Sequence, residues 1–316
     1  MREVFGTVAQ WLSAGTPCAL GTLVQAVDSA PAPIGATVAV DGSGRVAGNI
    51  GAGCYESEIV DACRKTIEDG KFRLVPIDLS SADEITGSPG CGGALTIAVW
   101  KPLPAFAERA EAIARGTHDV TVPLAQNQQF TIAAKRRICI VGATTLANEI
   151  ARIGASLDFA ATIVDPRPIF ATADRMRDAG EILAAWPGDA LPRVLPACRA
   201  LIVVSHDPKF DLPALQAGLD SDVAYIGLLG SRRSQAARRA ALRELGYTDA
   251  QLLRIHGPAG LDIGCGTPGQ SALSILAHVV AESNNRSGTP LERTAGPIRA
   301  SARDDQAIES TVSMSK

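Results

Sequence analysis

Strand-like and helical patterns alternate along the second half of this chain, and this alternation constrains the fold more than any other feature. The apolar run at 137–143 is nearly continuous, as expected for a strand buried on both faces of a sheet. A helical pattern follows, and further strand-like runs lie at 159–165, 200–206 and 223–230. This order predicts a Rossmann-like, doubly wound parallel α/β sheet.

The first half of the chain has a different pattern. An amphipathic helix starts the sequence, and strand-like runs, a hairpin and a second helix follow it. A polar stretch at 121–135 leads out of this region. We therefore expect a smaller N-terminal α+β domain at 1–134 and a Rossmann-like domain at 135–285. The tail at 286–316 is rich in polar residues without periodicity, and we expect it to be disordered.

Composition excludes several classes of function. The formal net charge is -3 and the sequence pI is about 5.9, whereas a nucleic-acid-binding domain usually carries a basic stripe. No apolar run approaches the ~18 residues that a membrane-spanning helix needs. The amphipathic start is unlike a signal peptide. We expect a cytoplasmic protein with neither nucleic acid nor membrane as a partner.

The seven cysteines are scattered, and no C-x-x-C motif occurs, which argues against a disulfide scaffold or a conventional zinc cage. We expect Cys18, Cys63 and Cys139 to be small buried hydrophobic residues. Glycine flanks the other candidates. Cys54 follows Gly53 at the start of a helix, where a thiol ionises readily, and Cys91 precedes Gly92 in a second glycine loop. Each of these cysteines and its neighbouring glycine are candidate cofactor-binding residues, and Cys54 and Cys91 are also candidate metal ligands. The alternative is that both cysteines are small residues tolerated in tight turns.

Three positions are candidates for a nucleotide-like ligand in the predicted sheet. Gly142 begins the first turn from strand to helix, and Asp165 ends the second strand, where an acidic residue often binds ribose hydroxyls. Thr144 stands where a second glycine is expected, which weakens the case for NAD(P). His206 follows a parallel strand and is either a ligand-binding residue or a solvated loop histidine.

Two further motifs point to a polar ligand. Gly230, Ser231, Arg232 and Arg233 open a helix in a pattern suited to a phosphate. The glycine- and proline-rich stretch at 254–268 predicts a shaped loop. Within it we single out three residues for a polar heterocycle or for shaping the turn: His256, Asp262 and Thr267. We interpret Arg238, Arg239 and Arg243 as a solvated helix face, and His118 and His278 as incidental.

Four motifs carry a family resemblance: GNIGAGCYE at 48–56, PGCGG at 89–93, YIGLLGSRR at 225–233 and RIHGPAGLDIGCGTP at 254–268. With them the chain resembles the XdhC/CoxI family of accessory proteins for molybdenum hydroxylases. The resemblance implies a chaperone that binds the molybdenum cofactor, protects it and supports its sulfuration. The cofactor then passes to an apoenzyme of the xanthine dehydrogenase, carbon monoxide dehydrogenase or aldehyde oxidoreductase type. Such a protein needs no turnover chemistry of its own.

The resemblance also assigns roles to residues. Cys54 and Cys91 would hold the metal end of the cofactor, since a soft metal prefers thiolates. The loops at 230–233 and 256–262 would hold its phosphate and pterin. A cysteine desulfurase is an implied partner, and a homodimer is expected because each domain alone offers half of a site. Ala52, Tyr55 and Cys265 depart from the family pattern, so a mononucleotide and a cytosine dinucleotide form both stay open.

Two alternatives remain at this point. One is a Rossmann-fold oxidoreductase that uses NAD(P), against which Thr144 counts. The other is a copper- or zinc-handling protein built on the glycine-flanked cysteines.

Overall fold

The computed structural model describes residues 2–27, 32–51, 55–78, 93–123 and 129–295. The chain divides into two compact units at the step from Ala134 to Lys135. Gly53, Cys54, Cys91 and Gly92 lie outside the described residues, as does most of the predicted tail. No helix among the described residues is long and apolar enough to cross a membrane.

The N-terminal unit is built on a five-stranded antiparallel sheet with the strand order β3-β2-β1-β5-β4. Side chains alternate between its faces along each strand. One face packs on α1 and α3, and the other face packs on α2. The elements are α1 (Arg2–Ser13), β1 (Cys18–Val27), β2 (Thr37–Asp41), β3 (Val46–Ala47), α2 (Glu56–Asp69), β4 (Arg73–Asp78), β5 (Ala94–Trp100) and α3 (Phe106–Arg115).

The polar stretch after α3 contains structure that the sequence analysis missed. Val120–Pro123 forms β6 and Gln129–Ile132 forms β7, and the two strands pair antiparallel. Val122 and Phe130 are buried in the same core as α1 and α3. The alternation of apolar and polar residues along β6 and β7 was hidden in the sequence because each strand is short and polar residues separate the two.

The C-terminal unit is a six-stranded parallel sheet with the order β10-β9-β8-β11-β12-β13. This confirms the predicted Rossmann-like architecture. The order reverses between β8 and β11, the place where open α/β sheets bind ligands. The elements are β8 (Arg136–Val141), α4 (Thr145–Ser156), β9 (Phe159–Val164), β10 (Glu181–Leu183), α5 (Pro187–Val194), β11 (Cys198–Val203), α6 (Pro208–Leu219), β12 (Tyr225–Leu228), α7 (Arg232–Glu244), α8 (Asp249–Leu252), β13 (Ile255–His256) and α9 (Pro268–Ser283), with short 3-10 helices at Leu195–Ala197 and Leu291–Arg293.

Both faces of the parallel sheet are covered, which explains the apolar runs in the sequence. On one face α4 and α9 bury Ile150 and Leu276 against the strands. On the other face α5, α6 and α7 bury Leu191, Leu215 and Leu242. Strands between two helical layers have no solvent-facing side, so their sequences show no polar alternation.

The cysteines of the described segments follow the expected distribution. Cys18, Cys63 and Cys139 are buried, whereas Cys265 is exposed. Burial raises the pKa of Cys18 to about 11 and that of Cys63 to about 12. These thiols therefore stay protonated at neutral pH, which confirms that they act as small core residues.

Candidate functional site

The predicted site residues of the C-terminal unit lie at the carboxyl edge of its parallel sheet. Each of them lies at or just beyond the carboxyl end of a strand. Gly142 follows β8, Asp165 follows β9, His206 follows β11, Gly230 to Arg233 follow β12, His256 ends β13, and Asp262 and Thr267 lie in the loop beyond it. The carboxyl ends of parallel strands share one edge of the sheet, so the topology collects these residues there.

Gly142 forms a tight turn at the point where the strand order reverses. Its φ is 107°, and a Cβ at this position would lie 2.8 Å from the Cα of Ser205. Glycine is required because the turn after β8 approaches the backbone of the loop after β11. Thr144 caps α4 by accepting a hydrogen bond from the backbone N–H of Ala147 at 3.2 Å. The residue that replaces the second glycine thus has a structural role.

Asp165 is fully buried and its carboxylate is committed to neighbouring groups. It accepts hydrogen bonds from the backbone N–H of Ala143 at 2.8 Å and from the Arg167 guanidinium at 2.7 and 2.9 Å. Burial alone would raise the pKa of Asp165, but these hydrogen bonds outweigh it and hold the pKa below its ordinary value. Asp165 is thus held in place at this edge by its neighbours, and its role toward a ligand stays a prediction.

Arg167 is a residue that the sequence analysis overlooked. Its guanidinium lies 4.6 Å from the ring centroid of Phe170 and 5.3 Å from that of Phe210, and its side chain is 39% exposed. The ion pair with Asp165 and the two aromatic rings fix its orientation. The signal in the sequence was an arginine two residues after the aspartate that ends a strand.

A buried polar network supports the loop after β11. The Ser205 hydroxyl donates to the carboxylate of Asp211, and the Arg238 Nε donates to the same carboxylate at 2.6 Å. Arg238 was predicted on a solvated helix face, and this prediction is wrong because its side chain is only 8% exposed. Residue His206, next to Ser205, has a φ of 61° and is exposed. A left-handed histidine is uncommon, and such backbones are frequent at functional sites.

The prediction is also wrong for Arg239, whose guanidinium donates to the backbone carbonyls of Leu252 and Ile255 at 2.7 Å each. It ties α7 to the end of α8 and to the first residue of β13. Arg243 is exposed and pairs with Asp249 at 2.7 Å, in agreement with a solvated position.

The N-terminus of α7 presents a surface suited to an anion. Ser231 caps the helix by accepting from the backbone N–H of Ser234 at 3.3 Å, and Gly230 has a φ of 129°. Arg232 and Arg233 are exposed, and within the described ranges no hydrogen bond or ion pair engages either guanidinium. The helix dipole and two unneutralised cations together favour a phosphate.

Gln235, in the first turns of α7, carries a buried acceptor without a donor. Its Nε2 donates to the carbonyl of Leu228 at 2.9 Å, while its Oε1 has no hydrogen-bond partner among the described residues. A Cβ at Gly257 would lie 2.2 Å from this oxygen, so the loop beyond β13 passes directly over it. A buried amide oxygen without a donor is costly. Because Gln235 is only 4% exposed, this oxygen lies beneath the loop and not on the surface of the edge. Only the structure reveals this residue.

The loop beyond β13 is held by α9. Ser274 donates to the carbonyl of Leu261 at 2.6 Å, and Thr267 caps α9 by accepting from the backbone N–H of Gln270 at 3.2 Å. Asp262 and Cys265 are exposed in the same loop. The loop thus has a fixed backbone and outward-facing polar groups, as the density of glycine and proline predicted.

His256 belongs to a cluster that the sequence analysis did not anticipate. Its ring stacks on Tyr225 with centroids 4.6 Å apart, and the ring of His278 stands edge-on to it at 4.8 Å. Burial and then the neighbouring His278 lower the pKa of His256. The prediction that His278 has no part in the site is therefore wrong, since its ring contacts that of His256.

Comparison with known proteins gives a family match in each unit. Residues 138–279 match the family described as the XdhC Rossmann domain, and residues 11–78 match the XdhC and CoxI family. A crystal structure of a xanthine dehydrogenase from Bacillus halodurans is similar to this chain, with a TM-score of 0.71 and 21% identity over 90% of this chain and 96% of that one. That likeness concerns the fold.

Two curated relatives come from Escherichia coli K12. One is called molybdenum cofactor insertion chaperone PaoD and is 25% identical over 300 residues, which cover 89% of this chain and 88% of that protein. The other, YqeB, is 23% identical over 295 residues. The alignment with YqeB takes in 93% of this chain but only 49% of the relative, about half of its length. On the strength of the two family matches, this chain belongs to the XdhC/CoxI family.

Proposed function

We propose that this protein is a molybdenum cofactor insertion chaperone, with the cofactor as its cargo and a molybdenum hydroxylase apoenzyme as its recipient. The observation that carries this proposal is the similarity to PaoD, which extends over 89% of this chain and 88% of the relative. A match of that extent includes both units and not the Rossmann module alone. The recipient belongs to the xanthine dehydrogenase, carbon monoxide dehydrogenase or aldehyde oxidoreductase type.

The described site fits the chemistry of this cargo. The cofactor carries a phosphate, for which the N-terminus of α7 with Arg232 and Arg233 supplies a cationic cradle. It also carries a flat pterin with N–H groups, for which His256 and Asp262 are polar partners at the same edge. A cytosine dinucleotide form would extend along this edge toward the turn at Gly142.

We assign the metal end of the cargo to Cys54 and Cys91, next to Gly53 and Gly92. Thiolates suit a soft metal, and the resemblance assigns the same cysteines. Sulfuration of the cargo with a cysteine desulfurase as sulfur donor, a cytoplasmic location and a homodimeric assembly complete the proposal. The NAD(P) alternative has Thr144 against it, which stands in place of the second glycine and caps α4.

The test is a cofactor transfer assay with matched arginine variants. The protein is purified from a host that makes the cofactor, and bound pterin is measured as its fluorescent oxidation product. The chain is then mixed with the apoenzyme of a molybdenum hydroxylase. We expect wild type to carry cofactor and activate the enzyme, and Arg232→Ala/Arg233→Ala to lose most of the bound pterin.

The control is Arg193→Ala/Arg199→Ala, which removes two exposed arginines elsewhere in the same unit. It should retain the pterin. Cys54→Ala should retain pterin as well but transfer less active cofactor. If wild type neither carries nor accepts cofactor, and no variant changes the activity of the target enzyme, the proposed function is wrong.

A further inference from the structure

Three ligand-type side chains meet on one face of the C-terminal unit. The imidazoles of His256 and His278 and the carboxylate of Glu282 each offer one atom, and these atoms lie within 4.8 Å of one another. We propose that they form a binding site for a divalent transition metal ion of the zinc class. This inference does not rest on the proposed function, and it uses residues that the chaperone resemblance does not assign to a metal.

The fold brings the three residues together from two elements. His278 and Glu282 are four residues apart on α9, so they lie one above the other on the same face of the helix. His256 ends β13, the edge strand, and its register partner on β12 is Gly227. Since α9 packs over this face of the sheet beside Tyr225, the end of β13 faces the last turns of α9.

The separations are close to those of a metal centre. The Nε2 of His278 lies 3.6 Å from the Oε1 of Glu282. Ligand atoms around a four-coordinate zinc, with bonds of about 2.0–2.1 Å, lie roughly 3.3 Å apart. Since all three ligand atoms lie within 4.8 Å of one another, the widest pair must approach by ~1.5 Å or less on binding. The Glu282 side chain, which is 46% exposed, has the freedom to make that movement.

The neighbouring groups orient the ligands. The Nδ1 of His278 is hydrogen-bonded to the Tyr225 hydroxyl at 3.1 Å, which leaves its Nε2 to face Glu282. A histidine that binds a metal through one ring nitrogen generally has the other nitrogen hydrogen-bonded in this way. The ring of His256 is held by its stacking on Tyr225 at an interplanar angle of 10°. Both imidazoles are thus fixed before an ion arrives.

The donor set indicates the kind of ion. Two imidazoles and one carboxylate suit zinc and the neighbouring first-row metals better than magnesium or calcium, which prefer oxygen ligands alone. Three protein ligands leave one position open to solvent or to another molecule. The guanidinium of Arg239, whose charge acts on His256, donates to the carbonyls of Leu252 and Ile255.

The test uses the four histidines of the full-length chain as separate reporters. Thiols are first alkylated with iodoacetamide, and zinc chloride is then titrated while the imidazole signals are followed by NMR. We expect the signals of His256 and His278 to shift together and to saturate at one zinc per chain. Those of His118 and His206 should stay in place. Chelation with EDTA should reverse the shifts.

Variants separate this site from non-specific binding. His278→Gln and Glu282→Gln should each weaken zinc binding at least tenfold, and Tyr225→Phe should weaken it by about 10–100-fold. His118→Gln and Glu244→Gln, at exposed positions elsewhere, are matched controls and should bind like wild type. Glu282→Gln changes an exposed residue and tests the site even if His278→Gln fails to fold.

The site is refuted if zinc leaves the His256 and His278 signals unmoved or if Glu282→Gln binds as tightly as wild type. Zinc captured only by residues other than these three would also overturn it. Because the titration needs neither cofactor nor apoenzyme, a negative result would leave the chaperone proposal standing, and a failed cofactor transfer would leave the metal site standing.

Discussion

The buried network of Ser205, Asp211 and Arg238 gives the sharpest prediction about stability. Replacing Asp211 by alanine leaves the Arg238 guanidinium in a site where it is only 8% exposed and removes the acceptor of the Ser205 hydroxyl. We expect Asp211→Ala to lower the free energy of unfolding of the C-terminal unit and to loosen the loop that carries His206.

The magnitude follows from the burial of both partners. Removing one member of a buried ion pair costs about 3–5 kcal/mol, because the remaining charge has lost its partner and cannot reach water. Replacing both members by apolar residues of similar volume is often close to neutral. The double variant Asp211→Leu/Arg238→Met should therefore be more stable than Asp211→Ala by ~2 kcal/mol or more. The Ser205 hydroxyl remains without its acceptor in both variants.

The assay is urea unfolding followed by hydrogen exchange and mass spectrometry, which reports on peptides of each unit separately. Peptides from β11, α6 and α7 should lose protection at lower urea concentration in Asp211→Ala, and peptides from β1 and β5 serve as an internal reference. The reasoning is refuted if Asp211→Ala costs less than about 1 kcal/mol. It is equally refuted if the double variant is as unstable as the single one.

Three further predictions concern single positions. Gly142→Ala should destabilise the C-terminal unit by about 1–3 kcal/mol in urea unfolding, because its φ is 107°, whereas Gly188→Ala on α5 should be tolerated. Because the pKa of Asp165 is lowered in the folded protein, its contribution to stability is complete above the ordinary carboxyl pKa. That contribution is lost as the pH falls through the pKa of Asp165 in the folded state, and Asp165→Asn should flatten this acid dependence of the urea midpoint. Brief iodoacetamide treatment of the native protein should label exposed Cys265 and spare Cys63, whose pKa is raised to about 12 by burial, as peptide mass spectrometry would show.

Much of the fold follows from the sequence because apolar runs reveal strands that are buried on both faces. β8, β9, β11 and β12 were all predicted in this way. β10 and β13 were missed because they have three and two residues, too few to show a pattern. Such short edge strands exist only through pairing with a neighbour, and pairing is a tertiary property.

The candidate site shows the same division. Its location at the carboxyl edge of the sheet was predictable, because topology alone places the turns there. The state of each charge was not predictable. Five arginines on α7 look alike in the sequence, yet Arg238 is buried against Asp211 while Arg232 and Arg233 point into solvent. Whether an arginine on α7 is neutralised depends on the helix that packs beside it. The local sequence of α7 does not show which helix that is.

This partition of charge makes the proposed anion site compatible with a chain of net negative charge. Asp165 and Asp211 are each buried beneath the edge and neutralised by one arginine, Arg167 and Arg238 respectively. Their charges cancel within the protein and fix the loops, while Arg232 and Arg233 project from a helix N-terminus with no described carboxylate paired to them. At the proposed phosphate site, the unpaired cations would therefore act through a local field that the total charge of the chain does not reveal.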